Sequence, residues 1–249
     1  MRETADLRIG ASGWSYSDWK GIFYPEGLRS QDFLSFYAAR FNTTEVNYSF
    51  YHQPRRSTYE NWSAQTPEDF QFAVKASRLI THVRRLRGVE EEWQEFLSRA
   101  SALGGKLGPV LLQFPPSMRA DGKLLRRFLE APRPCPVRLA CEFRHASWFD
   151  PEICELLREK QVALVVAHSE RYPQAPALPA APFFYLRFHG PGQLFSSKYS
   201  EEELKPWAVR IRGWLAAGRS VYAYFNNDFQ GYAIANAETL RRLVEAGRC

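Results

Sequence analysis

The chain has 249 residues, of which 45% are hydrophobic and 24% are charged, and this composition excludes a largely disordered protein. No Gly/Ser-rich or charge-rich linker divides it, so we expect one domain over residues 1–249. The formal net charge of +6 predicts an attraction for anionic partners, although charge alone does not choose between phosphates, carboxylates and nucleic acid.

The amino-terminal segment is charged, with Arg2, Glu3, Asp6 and Arg8 ahead of a short apolar run. This pattern predicts neither a signal peptide nor a membrane span, and we expect a cytoplasmic monomer. The four cysteines lack CxxC spacing and have no nearby histidine at zinc-binding spacing, so we interpret them as reduced structural residues. They are Cys135, Cys141, Cys154 and Cys249.

Eight short apolar runs recur along the chain and predict strands, with helical patterns between most of them. The runs cover residues 7–11, 44–46, 72–74, 109–114, 137–141, 162–167, 183–188 and 220–225. Helices are predicted from residue 30, over 57–63, 90–103 and 122–130, from 151 to about 160, and over 200–217 and 236–246. This alternation predicts an α/β fold of the TIM type, a (β/α)8 barrel of parallel strands.

Two sequence signals place helix starts. Ser57 followed by Glu60 resembles a capping box, and Asp150 followed by Pro151 is typical of an N-cap with proline at the first helical position. The segment after the sixth run contains Pro173, Pro176, Pro179 and Pro182. We therefore predict that the sixth helix is missing and is replaced by an extended proline-rich connection.

Polar and charged residues recur where the apolar runs end, and the carboxyl ends of barrel strands converge at one mouth. Four of these residues are candidates for catalysis: Glu45, Lys75, Glu142 and His189. Two carboxylates in one site can divide the acid and base roles; the alternative is that Glu45 and Glu142 only neutralise Lys75, Arg144 and Arg187 in a buried network. The amine of Lys75 could bind phosphate, act as a general acid or, as the weakest alternative, form a Schiff base.

A second group of residues is predicted to bind substrate at the same mouth. It comprises Trp14, Tyr16, Asn47, Gln113, Arg144, His168, Arg187, Asn226 and Asn227. His168 could equally be a hydrogen-bonded core residue, and the aromatic residues could simply pack the long first loop. Glu45, Glu142, His168, His189 and Asp228 could supply a mixed metal site, but their spacing supports none, and we expect neither a metal nor a cofactor.

The loop after the third run is basic and offers a third kind of site. Its arginines, interleaved with aromatic residues from adjacent loops, could track a nucleic-acid backbone or could form a solvated face. They are Arg78, Arg84, Arg85 and Arg87.

The motifs at the run ends resemble those of the domain of unknown function 72 (YecE-like) family along the whole chain. They are GASGWSY at 10–16, WKG at 19–21, FYP at 23–25, EVNYSFY at 45–51, FAVK at 72–75, QFPP at 113–116, EFRH at 142–145, LRFHG at 186–190 and YFNND at 224–228. The resemblance implies a TIM-barrel-like fold and implies no reaction, because the family has no settled activity.

The leading hypothesis is an enzyme acting on an anionic phosphoester, either a nucleotide or nucleic acid. In it Glu142 is the acid or base, while Lys75, Arg144 and Arg187 stabilise negative charge. Two alternatives stay open. One is a glycosidase-like or sugar-phosphate enzyme using Glu45 and Glu142, and the other is a non-catalytic nucleic-acid-binding protein.

Overall fold

The computed structural model describes residues 5–247, so the charges at positions 2 and 3 and Cys249 lie outside the described residues. Seven of the eight predicted strands form close to their expected positions, and the sixth is divided in two. The strands are β1 (Leu7–Ala11), β2 (Thr43–Val46), β3 (Gln71–Lys75), β4 (Leu107–Gln113), β5 (Leu139–Glu142), β6 (Ala163–Leu164), β7 (Val166–His168), β8 (Phe183–Phe188) and β9 (Ser220–Phe225).

The strands form two parallel sheets, one in the order β2-β3-β4-β5-β6 and the other in the order β1-β9-β8-β7. Every ladder is parallel, so the carboxyl ends of the strands in each sheet lie along one edge. The register places Gln113 opposite Glu142 and Arg187 opposite Tyr224. An α/β fold with parallel sheets is therefore confirmed.

Side-chain hydrogen bonds join β1 to β2 in place of a backbone ladder. Thr44 Oγ1 donates to the carbonyl oxygen of Ala11 at 3.1 Å, and the Tyr37 hydroxyl donates to Thr43 while accepting from Ala11 N–H. Gly10 allows this approach, because a Cβ atom there would lie 2.3 Å from the Thr43 carbonyl oxygen. At the other junction, only Val165 separates β6 from β7, and its N–H donates to the carbonyl oxygen of Cys141.

Buried residues on opposite faces of the sheets form two separate hydrophobic clusters. The larger one lies between the sheets and the helices. The smaller one, the inner cluster, takes residues from both sheets: Ala73, Leu111, Ala140, Ala163, Val165, Ala181, Phe183, Tyr185, Tyr222 and Tyr224. The two sheets thus face each other across the inner cluster, and the site described below continues this face toward the carboxyl ends.

The α-helices are α1 (Phe33–Ala38), α2 (Tyr48–Tyr51), α3 (Arg56–Ala64), α4 (Glu90–Ala100), α5 (Gly122–Glu130), α6 (Pro151–Glu159), α7 (Glu201–Ala216) and α8 (Tyr232–Glu245). Asp150 caps α6 as predicted, accepting from Glu152 N–H. The expected cap at Ser57 is wrong, because Arg55 occupies the N-cap of α3 and Glu60 pairs with Arg56.

The connection between β7 and β8 contains no helix, which confirms the prediction made from its prolines. Of the cysteines in the described part of the chain, Cys135, Cys141 and Cys154 are all free thiols. Among the helices of residues 5–247, none combines the length and apolarity needed to cross a membrane.

Candidate active site at the carboxyl ends of the strands

The centre of the site is Arg187, which lies near the end of β8 and is buried with both of its carboxylate partners. Its Nη2 and Nε donate to Glu45 at 2.7 and 2.9 Å, and its Nη1 donates to Glu142 at 2.5 Å. Burial opposes the charge of the guanidinium, but the two carboxylates raise its pKa above the ordinary value. One cation therefore holds two anions that come from different strands, β2 and β5.

Glu142 is held on its other oxygen by Arg144, whose Nε donates to Oε1 at 2.7 Å. Burial alone would raise the pKa of Glu142, but Arg187 and Arg144 together hold it well below its usual range. The carboxylate is thus ionised at neutral pH. Arg144 continues outward to Tyr172, with its guanidinium 4.2 Å from the ring centroid.

Glu45 accepts two further hydrogen bonds that complete its environment. The Ser12 hydroxyl donates to Oε1 at 2.9 Å and the Tyr185 hydroxyl donates to Oε2 at 2.7 Å. With Arg187 included, both carboxylate oxygens are occupied. This saturation favours a positioning role for Glu45 over a role as a free acid or base.

Lys75 differs from the two arginines because its amine makes no ion pair or hydrogen bond within residues 5–247. It ends β3, is 8% exposed, and its Nζ lies 4.0 Å from the ring centroid of Phe50. Burial, helped by the positive charge of Arg187, lowers the pKa of Lys75 to about 7. A substantial fraction of this amine is therefore uncharged at neutral pH and free to interact with a ligand.

His189 follows β8 and is fully buried. Asn226 Nδ2 donates to its Nδ1 at 3.3 Å, which assigns the ring proton to Nε2. Burial, with a contribution from Arg187, lowers the pKa of His189 to about 3, so the imidazole is neutral. Its Nε2 has no hydrogen-bond partner in the described part of the chain, which is unusual for a buried polar atom.

Asp228 is a site residue that the predicted set for catalysis and substrate binding omitted. It lies close to the Tyr16 side chain, and Tyr16 in turn donates to the carbonyl oxygen of Ser12. Burial raises the pKa of Asp228 to about 7, and its Oδ1 has no partner among the described residues. The signal for it was present, because Tyr222, Tyr224, Asn226 and Asp228 follow the period of two of an extended strand.

The structure brings most of the other predicted residues to this region. Gln113 lies beside Glu142 in the ladder, and its Nε2 donates to its neighbour Phe114 and is 3.4 Å from His82. Asn47 comes directly after β2, and its Oδ1 is buried without a partner in residues 5–247. These uncharged amide groups lie beside the ion-paired residues Arg187, Glu45, Glu142 and Arg144, here called the charged centre.

His168 and Asn227 face away from the charged centre. His168 Nδ1 lies 2.8 Å from the Tyr199 hydroxyl, and its ring packs against Trp207. Asn227 donates to Ser197 and Asn236. Both residues therefore hold the outer layer together, as expected for the structural alternative considered for His168.

Trp14 and Tyr16 lie at a cavity of about 510 Å³ beside the charged centre, here called the aromatic cavity. Its other walls include Ser12, Asn47, Tyr48 and Trp62, and none of its lining residues is charged. Trp14 meets Trp62 edge to face, with ring centroids 5.2 Å apart. Ser12 lines the cavity while its hydroxyl donates to Glu45, so the two features adjoin.

The arginines of the predicted nucleic-acid loop lie outside the charged centre, and three of them have partners on the protein. Arg84 pairs with Glu92 at 3.5 Å, Arg87 with Asp121 at 3.8 Å, and Arg85 donates to Ser117. Arg78 is exposed. Within residues 5–247, no three His, Cys, Asp or Glu side chains are grouped so as to hold a metal ion.

Comparison with known proteins gives a consistent result along the chain. The family described as "Protein of unknown function DUF72" matches residues 8–248. UPF0759 protein YunF of Bacillus subtilis is 28% identical over 275 residues, covering 96% of this chain and 95% of that protein. UPF0759 protein YecE of Escherichia coli K12 is 32% identical over 144 residues, covering 57% and 50%.

Solved structures include similar folds. A DUF72 family protein from Thermotoga maritima has a TM-score of 0.86 and 32% identity, covering 96% of this chain and 99% of that chain. A protein from Listeria monocytogenes, described as a putative vitamin-B12 independent methionine synthase, has a TM-score of 0.57 and 7% identity, with 98% of each chain covered. At that identity the likeness concerns the fold alone.

Proposed function

The chain belongs to the DUF72 family of proteins of unknown function, and we propose that the carboxyl ends of its strands form the active site of an enzyme acting on a small phosphoester. Lys75 is the residue that meets the phosphate. The observation that carries this proposal is that the amine of Lys75 has no ion-pair or hydrogen-bond partner among residues 5–247, whereas Arg187 and Arg144 are bound to carboxylates.

A phosphate bound beside Lys75 changes the protonation state of the amine. Its negative charge raises the pKa of Lys75 from about 7, so that binding takes up a proton. The resulting ammonium, together with the outer part of Arg144, stabilises the charge that develops on the phosphoryl oxygens in the transition state. Glu45 and Glu142 serve this arrangement by holding Arg187 and Arg144 in place.

Two further groups are suited to orient the substrate and to transfer protons, and they are His189 and Asp228. The Nε2–H of His189 is a donor without a partner in the described residues, and Asn226 fixes its tautomer. Asp228, with a pKa of about 7, exchanges a proton readily at neutral pH and is the carboxyl group suited to activate water.

The proposal includes the architecture of the site. We take the two sheets as one closed (β/α)8 barrel and the chain as one domain, supported by the hydrogen bonds between β1 and β2 and by the single residue between β6 and β7. Closure of this kind would collect the ends of all the strands around Arg187.

The other two functions considered have less support. A glycosidase needs one protonated and one free carboxyl, whereas Glu45 and Glu142 bind the same guanidinium and Glu142 is ionised. A nucleic-acid module based on the arginine loop is weakened because Arg84 and Arg87 pair with the protein's own acidic residues.

The test is turnover of phosphoesters by the purified protein. We expect hydrolysis of p-nitrophenyl phosphate, bis(p-nitrophenyl) phosphate or a nucleoside monophosphate, and a loss of kcat/KM of about 100-fold or more in Lys75→Met. Lys123→Met is the matched control, because this lysine is exposed, belongs to α5 and is not one of the residues of the proposed site. Absence of turnover of all three substrates, or equal turnover by Lys75→Met, would overturn the proposal.

A further inference from the structure

The aromatic cavity adjoins the proposed phosphate site and differs from it in chemistry. Trp14, Tyr16, Tyr48 and Trp62 provide rings, while Ser12 and Asn47 provide small neutral polar groups. A volume of about 510 Å³ lies within the range of small-ligand sites, roughly 300–1,000 Å³. Such a lining suits an uncharged, planar part of a ligand.

We infer that the aromatic cavity binds the base of a nucleoside, and that the enzyme proposed above therefore acts on a nucleoside phosphate. This inference rests on the proposed function for the phosphate end of the ligand. Bases stack on aromatic side chains whatever their identity, and an asparagine amide can pair with the edge of adenine. Asn47 is the residue in this cavity with that capability, and its Oδ1 has no partner in residues 5–247.

The positions of Asn47 and Lys75 allow one ligand to reach both the aromatic cavity and the proposed phosphate site. Glu45 lies opposite Ala73 and Val46 opposite Val74, so Asn47 and Lys75 follow these pairs on adjacent strands. Neighbouring strands lie about 4.8 Å apart. A nucleoside with its base in the cavity can therefore direct a phosphate toward Lys75 without leaving the carboxyl edge of the sheet.

The composition of the cavity favours an uncharged part of a ligand over a charged one, because no charged residue lines it. The four rings offer instead the large apolar area that a heterocyclic base buries. Binding of a free sugar is thus the competing outcome of the test.

The experiment measures binding of adenosine, ribose, ribose 5-phosphate and adenosine 5′-monophosphate by tryptophan fluorescence and equilibrium dialysis. We expect adenosine to bind and ribose not to bind. Trp62→Ala and Tyr48→Ala should each weaken the binding of adenosine about fivefold or more. About fivefold is the lower limit expected when a base loses one stacked ring. Tyr48 is 52% exposed, so its variant keeps the test valid if Trp62→Ala fails to fold.

Two controls make the outcomes distinct. Tyr51→Ala, in the same helix and 72% exposed, lies outside the cavity lining and should leave adenosine binding unchanged. Lys75→Met should leave adenosine binding unchanged but remove the extra affinity of the monophosphate.

Adenosine binding that is absent, equal to that of ribose, or insensitive to Trp62 and Tyr48 would overturn the base site. In that case ribose 5-phosphate binding that depends on Lys75 would still support the proposed function. Conversely, adenosine binding that depends on Trp62 and Tyr48, without any gain from the phosphate, supports the base site and contradicts the role of Lys75.

Discussion

Arg187 shows how one buried residue determines the character of the site. A buried ion pair is tolerated only when its desolvation is offset by good geometry and further hydrogen bonds. Glu45 meets this condition through Ser12 and Tyr185, and Glu142 meets it through Arg144. The carboxylates are thereby committed to the arginines, which leaves Lys75 as a buried amine without a counterion in the described residues.

The depressed pKa of Lys75 predicts a cost to stability with a defined pH dependence. Because the pKa is about 7 in the folded state and 10.5 ordinarily, the unfolded chain binds more protons between these values. The penalty is complete below pH 7 and disappears as the pH rises toward 10.5. We expect Lys75→Met to unfold at higher urea concentration than the wild type, by up to about 4 kcal/mol at pH 7.

The pH profile separates this effect from a general gain in packing. The advantage of Lys75→Met should shrink steadily from pH 7 to pH 10, whereas the exposed Lys123→Met should follow the wild type throughout. An advantage that is independent of pH, or a variant less stable than the wild type at pH 7, would contradict a buried amine of low pKa.

The period of two along the strands accounts for most of what the sequence predicted about the site. Lys75, Gln113, Glu142 and Arg187 each lie two residues beyond a member of the inner cluster on their own strand, and Glu45 accepts a hydrogen bond from Tyr185 of that cluster. The same rule explains the residues that face outward: Val165 belongs to the inner cluster, so His168 points the other way, as does Asn227 two residues after Phe225. Pairing distances and pKa values depend on several strands at once, so no single run could reveal them.

At the scale of elements, strands were easier to predict than helix ends. Apolar runs identify buried parallel strands because both faces are covered, but they do not show where a ladder is interrupted, and the break at Val165 was missed. The short helix α2 was also missed, since Tyr48–Tyr51 is a single turn without a cap signal. The prolines of the sixth connection were informative because they exclude regular helix locally.

Ser200 and Ser57 allow a test of which serine caps a helix. Ser200 caps α7: its Oγ accepts from Glu203 N–H at 3.3 Å, and its own N–H donates to Glu203 Oε2 at 2.8 Å. Ser200→Ala should lower the free energy of unfolding by about 0.5–2 kcal/mol. Ser57→Ala, inside α3 and exposed, should change it by less than about 0.5 kcal/mol in urea denaturation. Equal effects of the two substitutions would contradict this assignment of the caps.

At the scale of the whole molecule, the two sheets are complementary across the inner cluster. The small residues Ala73, Ala140 and Ala163 come from the five-stranded sheet, and the large rings of Tyr185, Tyr222 and Tyr224 come from the other. The sequence shows this difference in side-chain size between the sheets only after each strand has been assigned to its sheet. At the seam between β1 and β2, hydrogen bonds of Tyr37 and Thr44 join one sheet to the other.

Gly10 provides the test of that seam. A Cβ atom at this position would lie 2.3 Å from the Thr43 carbonyl oxygen and 2.6 Å from the Tyr37 hydroxyl, which bonds both strands. We expect Gly10→Ala to push β1 from β2 and to lower the free energy of unfolding by about 1–3 kcal/mol or more. Gly213→Ala, at an open position inside α7, should instead raise it by about 0.5–1 kcal/mol. Urea denaturation of both variants measures the difference. A Gly10→Ala protein as stable as the wild type would show that the strands are free to separate, and would remove the support that this seam gives to a closed barrel.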